Sequence, residues 1–362
     1  MKNLNRNIMK KLIWFIGGII IVGAVLLLLT HFNPFGNSDN KYASKSIPTT
    51  IKPYEIMRFD EDFLHINTSP NEIQNSLKKL QDKYGIFLDM YTIKLLGIGS
   101  TADPGTAANI RQFLSQEAYH AFYMAIDSVY KNGLSKESAE MTEGFNRFHY
   151  FFPKKPIPRR IIAINSGFYG NMAVEEENND LALSLEFYLG ADYKNYQWVD
   201  GIFDYMRPNL RREKLAPDAL MGWTMYQFPE QATNIRLIDE IMYQGKIMYL
   251  TEAMLPKEDP MNLMGYTKDQ WDWCKANEGQ MWNYIKTYKH LYTYDRLVIS
   301  KYVNPGPKTA FFPDGSPAKT GIWLGWQIVR SYMKNNPDVS LQALIDNNNS
   351  QQILEQSKYN PK

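Results

Sequence analysis

The stretch NIRLIDEIMYQGKIMYL, residues 234–250, decides how the rest of the chain is interpreted. Its apolar residues recur at helical spacing, so it predicts a helix that begins near Ala232 and ends near Met254. Lys246 is expected to be a surface cation of this helix. The buried face should contain the apolar side chains that recur every three or four residues, namely Ile235, Ile238, Met242, Ile247, Leu250 and Met254.

Five residues of this helix, Asp239 to Tyr243, correspond to the zincin motif His-Glu-x-x-His. In that motif two histidines one helical turn apart bind zinc, and the glutamate is the general base for the metal-bound water. This chain keeps Glu240 but has aspartate and tyrosine in place of the histidines. A tyrosine with its usual pKa of about 10 is a poor zinc ligand at neutral pH. We therefore regard Glu240 as a remnant catalytic candidate and Asp239 and Tyr243 as remnant metal positions.

A third metal ligand would come from elsewhere, and two acids compete for that role. Glu252 lies 252 − 240 = 12 residues after Glu240, about 18 Å along a continuous helix, which is too far to share a metal. Glu278 lies on the next predicted helix, which an antiparallel hairpin could bring back beside Glu240. Asp, Tyr and Glu offer only oxygen ligands, which suit Mg²⁺, Ca²⁺ or Mn²⁺ weakly rather than zinc. The sequence thus predicts no stoichiometric zinc and no other cofactor.

The rest of the chain predicts an α+β fold that is mostly helical, with a small sheet of antiparallel neighbours. Alternating apolar residues from Tyr54 to Ile66 indicate a strand, as do RRIIAIN (159–165) and LALSLEFYLG (181–190). Gly321 and Gly325, one turn apart on a predicted helix, should allow another backbone to approach. Helices are predicted after Ser69 as far as Tyr84 and at 106–131, 135–151, 267–288, 321–335, 341–346 and 350–355.

The N-terminus predicts a membrane anchor. Residues 1–11 are basic without an acid, and Leu12 to Thr30 is an uncharged apolar run long enough to span a bilayer. The positive-inside rule then predicts an inner-membrane, single-pass protein with its C-terminal domain in the periplasm. A cleaved signal is the alternative, although no small-residue cleavage site follows the run. Residues 31–53 are interpreted as a linker and residues 54–362 as the periplasmic domain.

Composition excludes some functions. The formal net charge is only +2, with 22% charged residues, so no strong field would attract nucleic acid. The single cysteine, Cys274, lies among apolar neighbours in a helical pattern and is expected to be a buried small residue rather than a catalytic thiol. The predicted partners are the membrane, through the N-terminal helix, and an envelope protein.

Four blocks of sequence resemble the GldB family of gliding motility lipoproteins of Bacteroidetes. They are LSLEFYLGADYKNY (183–196), IDEIMYQGKIMYL (238–250), LMGYTKDQWDWCKANEGQMW (263–282) and TGIWLGWQIVRSYMKNN (320–336), followed by the tail ILEQSKYNPK. The family is in turn similar to predicted zinc-dependent peptidases that carry a true His-Glu-x-x-His helix. The resemblance implies a degenerate, zincin-like metallopeptidase domain and an envelope role in gliding or the associated secretion machinery. GldB proteins generally carry a lipidated cysteine at the start of the mature chain, whereas this sequence has no cysteine there.

Three functions follow from these features. The first is a non-catalytic, metallopeptidase-like envelope module in which the former peptidase cleft binds a partner protein. The second is a metal-dependent peptidase with atypical oxygen ligands around Glu240. The third is a purely structural tether.

Overall fold

The chain forms many helices and one small sheet. The computed structural model describes residues 40–230 and 234–362. In this part of the chain, six α-helices lie between the first strand and the other three. They are α1 (Phe59–Leu64), α2 (Ile73–Tyr84), α3 (Ile86–Asp89), α4 (Thr106–Leu114), α5 (Glu117–Tyr130) and α6 (Ser135–Phe151). Those that follow the sheet are α7 (Leu215–Gln227), α8 (Leu237–Met254), α9 (Pro260–Met264), α10 (Lys268–Thr287), α11 (Arg296–Val303), α12 (Thr320–Asn335), α13 (Leu341–Asp346) and α14 (Ser350–Ser357). The α+β prediction is correct for these residues.

The sheet has four strands in the order β1-β2-β4-β3, with the bounds β1 Ile56–Arg58, β2 Ile161–Ile164, β3 Met172–Glu175 and β4 Asp180–Ser184. β2 lies parallel to both β1 and β4, and only β3 and β4 pair antiparallel. The prediction of antiparallel neighbours is therefore wrong for two of the three pairs. β2 and β4 are buried along their whole length, as expected of parallel strands that are covered on both faces.

The strand β2 separates two hydrophobic clusters. Ile161 and Ala163 pack in the larger cluster with α6, α7, α8 and α12, whereas Ile162 and Ile164 pack in a smaller one with α1 to α4. This alternation follows from the two-residue repeat of a strand, which directs successive side chains to opposite faces. The small cluster also explains why the predicted strand at 54–66 ends at Arg58. Phe59 and Phe63, one helical turn apart, are both fully buried in that cluster.

Several predicted helices match the structure closely. Helix α6 and helix α13 have the predicted bounds, and Gly85 ends α2 as expected, with a positive φ of 64°. The pattern at 106–131 instead forms two helices, α4 and α5, because Gln116 between them adopts an extended backbone with ψ 122°.

Helix α8 is central to the fold. All six residues predicted for its buried face are buried, and so are most of its other side chains. Its closest neighbour is α12, because Gly245 of α8 faces Gly325 of α12 with no side chain between the two backbones. A Cβ atom added at Gly325 would lie 1.8 Å from the carbonyl oxygen of Ile241. The sequence expectation that glycines of α12 admit another backbone is thus confirmed.

The predicted fold class needs one correction, which concerns the transmembrane helix. Among residues 40–230 and 234–362, no helix is long and apolar enough to cross a membrane. The 18-residue helix α8, for example, carries the charged residues Asp239, Glu240, Lys246 and Glu252. The predicted span, Leu12 to Thr30, lies outside the described residues.

Residues 40–53, the described part of the predicted linker, are packed against the helices. Asn40 is fully buried, and Ala43 is nearly so. The guanidinium of Arg147, on α6, donates hydrogen bonds to the carbonyl oxygens of Tyr42, Ala43 and Lys45 in this segment and of Ala253 in α8. A guanidinium carries five N–H donors, so one buried side chain can satisfy several successive carbonyl groups.

Candidate binding cleft beside helix α8

A cleft of about 710 Å³ opens along one side of α8. Three side chains of this helix contribute to its wall, Asp239, Tyr243 and Lys246. Two of these are the remnant metal positions, so the structure brings them to one opening. The remaining wall comes from Lys155, from residues 227–230 at and after the end of α7, and from Ile345, Asp346, Asn348 and Ser350 around the α13–α14 connection.

The carboxylate of Asp239 is already paired. It accepts hydrogen bonds from Nε and Nη2 of Arg236 at 2.8 and 2.9 Å, and from the backbone N–H of Arg236 at 3.0 Å. Arg236 is the N-cap of α8, so the carboxylate satisfies the start of its own helix. Burial alone would raise the pKa of Asp239, but the bonds from Arg236 outweigh burial and lower it. A metal would have to displace this arginine.

The phenol of Tyr243 is a weak acid in this cleft. Burial, followed by the negative charges of Glu230 and Glu240, raises its pKa to about 12. At neutral pH the hydroxyl therefore stays protonated and acts as a hydrogen-bond donor. A zinc ligand would need the deprotonated oxygen, and the raised pKa opposes loss of that proton.

Glu240, the remnant catalytic candidate, is partly exposed and is not among the residues that line the cleft. Its Oε1 accepts a hydrogen bond of 3.0 Å from the amide of Gln244, one turn further along α8. This pairing is typical of a helix surface.

The structure places Glu278 in a different environment from the one predicted. Its carboxylate accepts a 2.6 Å hydrogen bond from the hydroxyl of Tyr359, near the C-terminus, and burial raises its pKa. The backbone of Lys362 covers the adjacent Gly279. The expected hairpin pairing is wrong because α12, with its glycines, occupies the position along α8. In the described parts of the chain, no three His, Cys, Asp or Glu residues are grouped to bind a metal ion.

The prediction of Lys246 as a surface cation is also wrong. The residue is only 5% exposed, and its ammonium donates to the carbonyl oxygens of Ile345 and Asn347 at 3.3 and 3.1 Å. These carbonyls lie at the C-terminal end of α13, where a cation is favourable. Lys246 thus fixes one wall of the cleft to α8.

Sequence reasoning missed a buried charged cluster around Glu252, which had been considered only as a metal ligand. Its carboxylate pairs with Arg330 of α12 at 2.5 Å, and the indole N–H of Trp326 donates to it at 3.3 Å. The amide of Asn40 is 3.4 Å away, so the cluster joins α8, α12 and the N-terminal segment. The available signal was an acid within an otherwise apolar stretch, since buried acids in proteins are usually paired.

Comparison with known proteins supports the family resemblance. Residues 37–361 match the model of a family whose description is gliding motility protein GldB, and that model is named for lipoproteins. The matched residues include the cleft and the helices α8 and α12. Comparisons with curated proteins and with solved structures gave no match. The expected similarity to zinc-dependent peptidases is not shown by any of these comparisons.

Proposed function

Because the chain belongs to the family of the gliding motility protein GldB, we propose that it is a non-catalytic, metallopeptidase-like module of the cell envelope. In this proposal it acts as an accessory factor of the gliding or secretion-associated machinery, and the cleft beside α8 binds a partner protein. The supporting observation is an open cleft in which neither remnant ligand position offers a free anionic oxygen. The carboxylate of Asp239 is paired with Arg236, and the hydroxyl of Tyr243 is protonated at neutral pH.

The envelope location rests on the family, whose model is named for lipoproteins. The one cysteine of the sequence, Cys274, is fully buried in α10, and burial raises the pKa of its thiol to about 12. This confirms its expected role as a buried small residue. It is therefore not a site of lipid attachment.

The test of partner binding uses a variant that blocks the cleft without touching the core. Asn348 is exposed and lines the cleft, so Asn348→Trp should reduce recovery of envelope proteins crosslinked to the tagged full-length chain in its own cells. The matched control is Ala343→Trp, an exposed position on α13 that does not line the cleft. Equal recovery with both variants would place the partner elsewhere.

The alternative, a metal-dependent peptidase, is supported by one observation, the shared opening of Asp239 and Tyr243. If Glu240 were a general base, Glu240→Gln should lower activity in cells by about 10²- to 10⁴-fold. In the binding proposal the glutamine variant should behave like the wild type, whereas Gly245→Trp should abolish function, because even a Cβ there would lie 2.3 Å from the backbone of Gly325.

A stable, correctly located Glu240→Gln protein that is as defective as a deletion would refute the non-catalytic proposal. Elemental analysis of the purified protein provides an independent measurement. One stoichiometric metal ion, lost on replacement of Asp239, would favour the peptidase.

A further inference from the structure

A second, smaller cavity lies apart from the α8 cleft and shares no lining residue with it. It is formed by short helical turns at 185–188 and 207–209 together with the loops around 265–267, 305–306 and 318–319. Its volume is about 200 Å³. A protein cavity of about 150 Å³ accommodates benzene, so this one has room for a group slightly larger than a single aromatic ring.

The cavity contains a lysine with unused hydrogen-bonding capacity. The ammonium of Lys319 donates one hydrogen bond, of 3.0 Å, to the carbonyl oxygen of Met264. An ammonium has three donors, so two can bond to solvent or to a ligand. Within residues 40–230 and 234–362, no carboxylate lies within ion-pair distance of Lys319.

Asp218, the acid that lines this cavity, is already paired with another cation. Its carboxylate forms a 3.0 Å ion pair with the buried Lys214 and accepts a 3.2 Å hydrogen bond from the hydroxyl of Tyr188. Asp218 therefore neutralises Lys214, and Lys319 remains as the second positive charge. Lys319 lines the cavity and is partly exposed, so its ammonium is accessible to an anion that enters the cavity.

Two further features describe the surroundings of Lys319. Burial and then the charge of Lys214 lower its pKa to about 8, although Asp218 opposes this shift. Its backbone is left-handed, with φ 59° and ψ 26°, a conformation that favours glycine or asparagine. This backbone conformation fixes the direction in which the side chain leaves the start of α12.

We infer that this cavity binds the carboxylate of a small hydrophobic acid, about one aromatic ring in size, with Lys319 as the cation that pairs with it. The apolar body of the ligand would contact aromatic walls, for which Phe187, Tyr205 and Tyr266 provide the surface. A carboxylate can accept hydrogen bonds from Lys319 in place of water, because charge-assisted hydrogen bonds are among the strongest that an ammonium forms.

Two sources could supply this chemistry, a free arylalkanoic acid or the C-terminal residue of a polypeptide. Titration calorimetry on the full-length protein separates them, with phenylacetate as the first probe and acetyl-Gly-Phe with a free carboxylate as the second. Binding of phenylacetate indicates a free acid, and binding of the peptide alone indicates a polypeptide terminus. Either result supports the inference, and failure of both overturns it.

The charge requirement is tested on the wild-type chain with neutral isosteres. Phenylacetamide and the amidated peptide should bind at least about tenfold more weakly than the corresponding acids, since they lose a charge-assisted hydrogen bond. Amides that bind as well as the acids would overturn the inference. This comparison does not depend on the folding of any variant.

The role of Lys319 is tested with Lys319→Asn, which keeps a residue suited to the left-handed backbone but removes the charge. The matched control is Lys289→Asn, at an exposed lysine with a similar φ of 55°. Acid binding should fall by at least about tenfold in the first variant only. The ligand-free Lys319→Asn protein should lose little thermal stability, because the variant removes one partly buried hydrogen bond. Undiminished acid binding, or a large loss of stability instead, would mean that Lys319 is structural.

Discussion

Replacement of Gly325 by alanine should separate the two central helices. The added Cβ would lie 1.8 Å from the carbonyl oxygen of Ile241 and 2.6 Å from its carbonyl carbon. Ordinary van der Waals contact begins at 3.4 Å, so α8 and α12 must move apart by about 3.4 − 1.8 = 1.6 Å. Both obstructing atoms belong to the backbone of a buried helix, which has no rotamer to change.

The cost has three contributions. Overpacking of a buried contact costs about 1–3 kcal/mol. A gap of even 0.5–1 Å forfeits roughly a quarter to a half of the dispersion energy of the atoms that line it. Against these, alanine gains about 1 kcal/mol over glycine in helix propensity. Because the dispersion loss adds to the overpacking and offsets the propensity gain, we expect a net loss of about 1–3 kcal/mol in the free energy of unfolding.

Urea denaturation followed by tryptophan fluorescence measures this loss, and Gly222→Ala is the matched control. In that variant the Cβ would lie 2.0 Å from Sδ of Met172, the far end of a flexible side chain that can rotate away. Its cost should stay within about 1 kcal/mol. The reasoning is refuted if Gly325→Ala loses less than about 1 kcal/mol, or if Gly222→Ala is equally destabilising.

Two further variants test groups outside the cleft. Glu186 is fully buried, and burial raises its pKa to about 7 although hydrogen bonds from Ser166 and Phe168 oppose this shift. The folded-state pKa of Glu186 lies above its ordinary value of 4.5, so the stability that the protonated side chain contributes is complete below about pH 4.5 and is lost as pH rises through 7. Glu186→Gln does not titrate, so its stability should rise by about 2–3 kcal/mol relative to wild type between pH 5 and pH 8. Equal pH dependence of unfolding in the two proteins would contradict this. Arg147→Met leaves several carbonyl groups unpaired, so it should lower the free energy of unfolding by about 2–4 kcal/mol and expose residues 40–53 to proteolysis. Unchanged protection of that segment would show that Arg147 does not hold it in place.

Much of the fold was predictable because it depends on local patterns. Helical periodicity gave the bounds of α6 and α13, and the apolar residues of α8 proved to be buried. The direction of the strands was not predictable in the same way, since β2 pairs with partners that are distant in sequence. The two-residue alternation of a strand is the same in parallel and antiparallel sheets, so it carries no information about direction.

The site was predictable only in part. The motif comparison selected Asp239 and Tyr243, and these two share one opening because residues four apart lie on one face of a helix. Glu278 was placed wrongly, since spacing along the chain does not say which helix packs against which. Lys246 is buried although lysine usually prefers water, and only the carbonyl groups of another segment explain its position.

The packing of residues 40–53 has a mechanical consequence. If tension were applied to the chain at Asn40, the force would pass first into the bonds that fasten this segment to distant parts of the fold. Arg147 binds carbonyl oxygens at three nearby residues, and the hydroxyl of Tyr42 donates to Val339 at 2.6 Å. The backbone N–H of Thr50 donates to the side chain of Asn146 at 2.8 Å. Several of these bonds meet at one guanidinium, so a pull on the segment loads them at the same time. Tension on the chain at Asn40 would therefore load these hydrogen bonds before it loads strand β1.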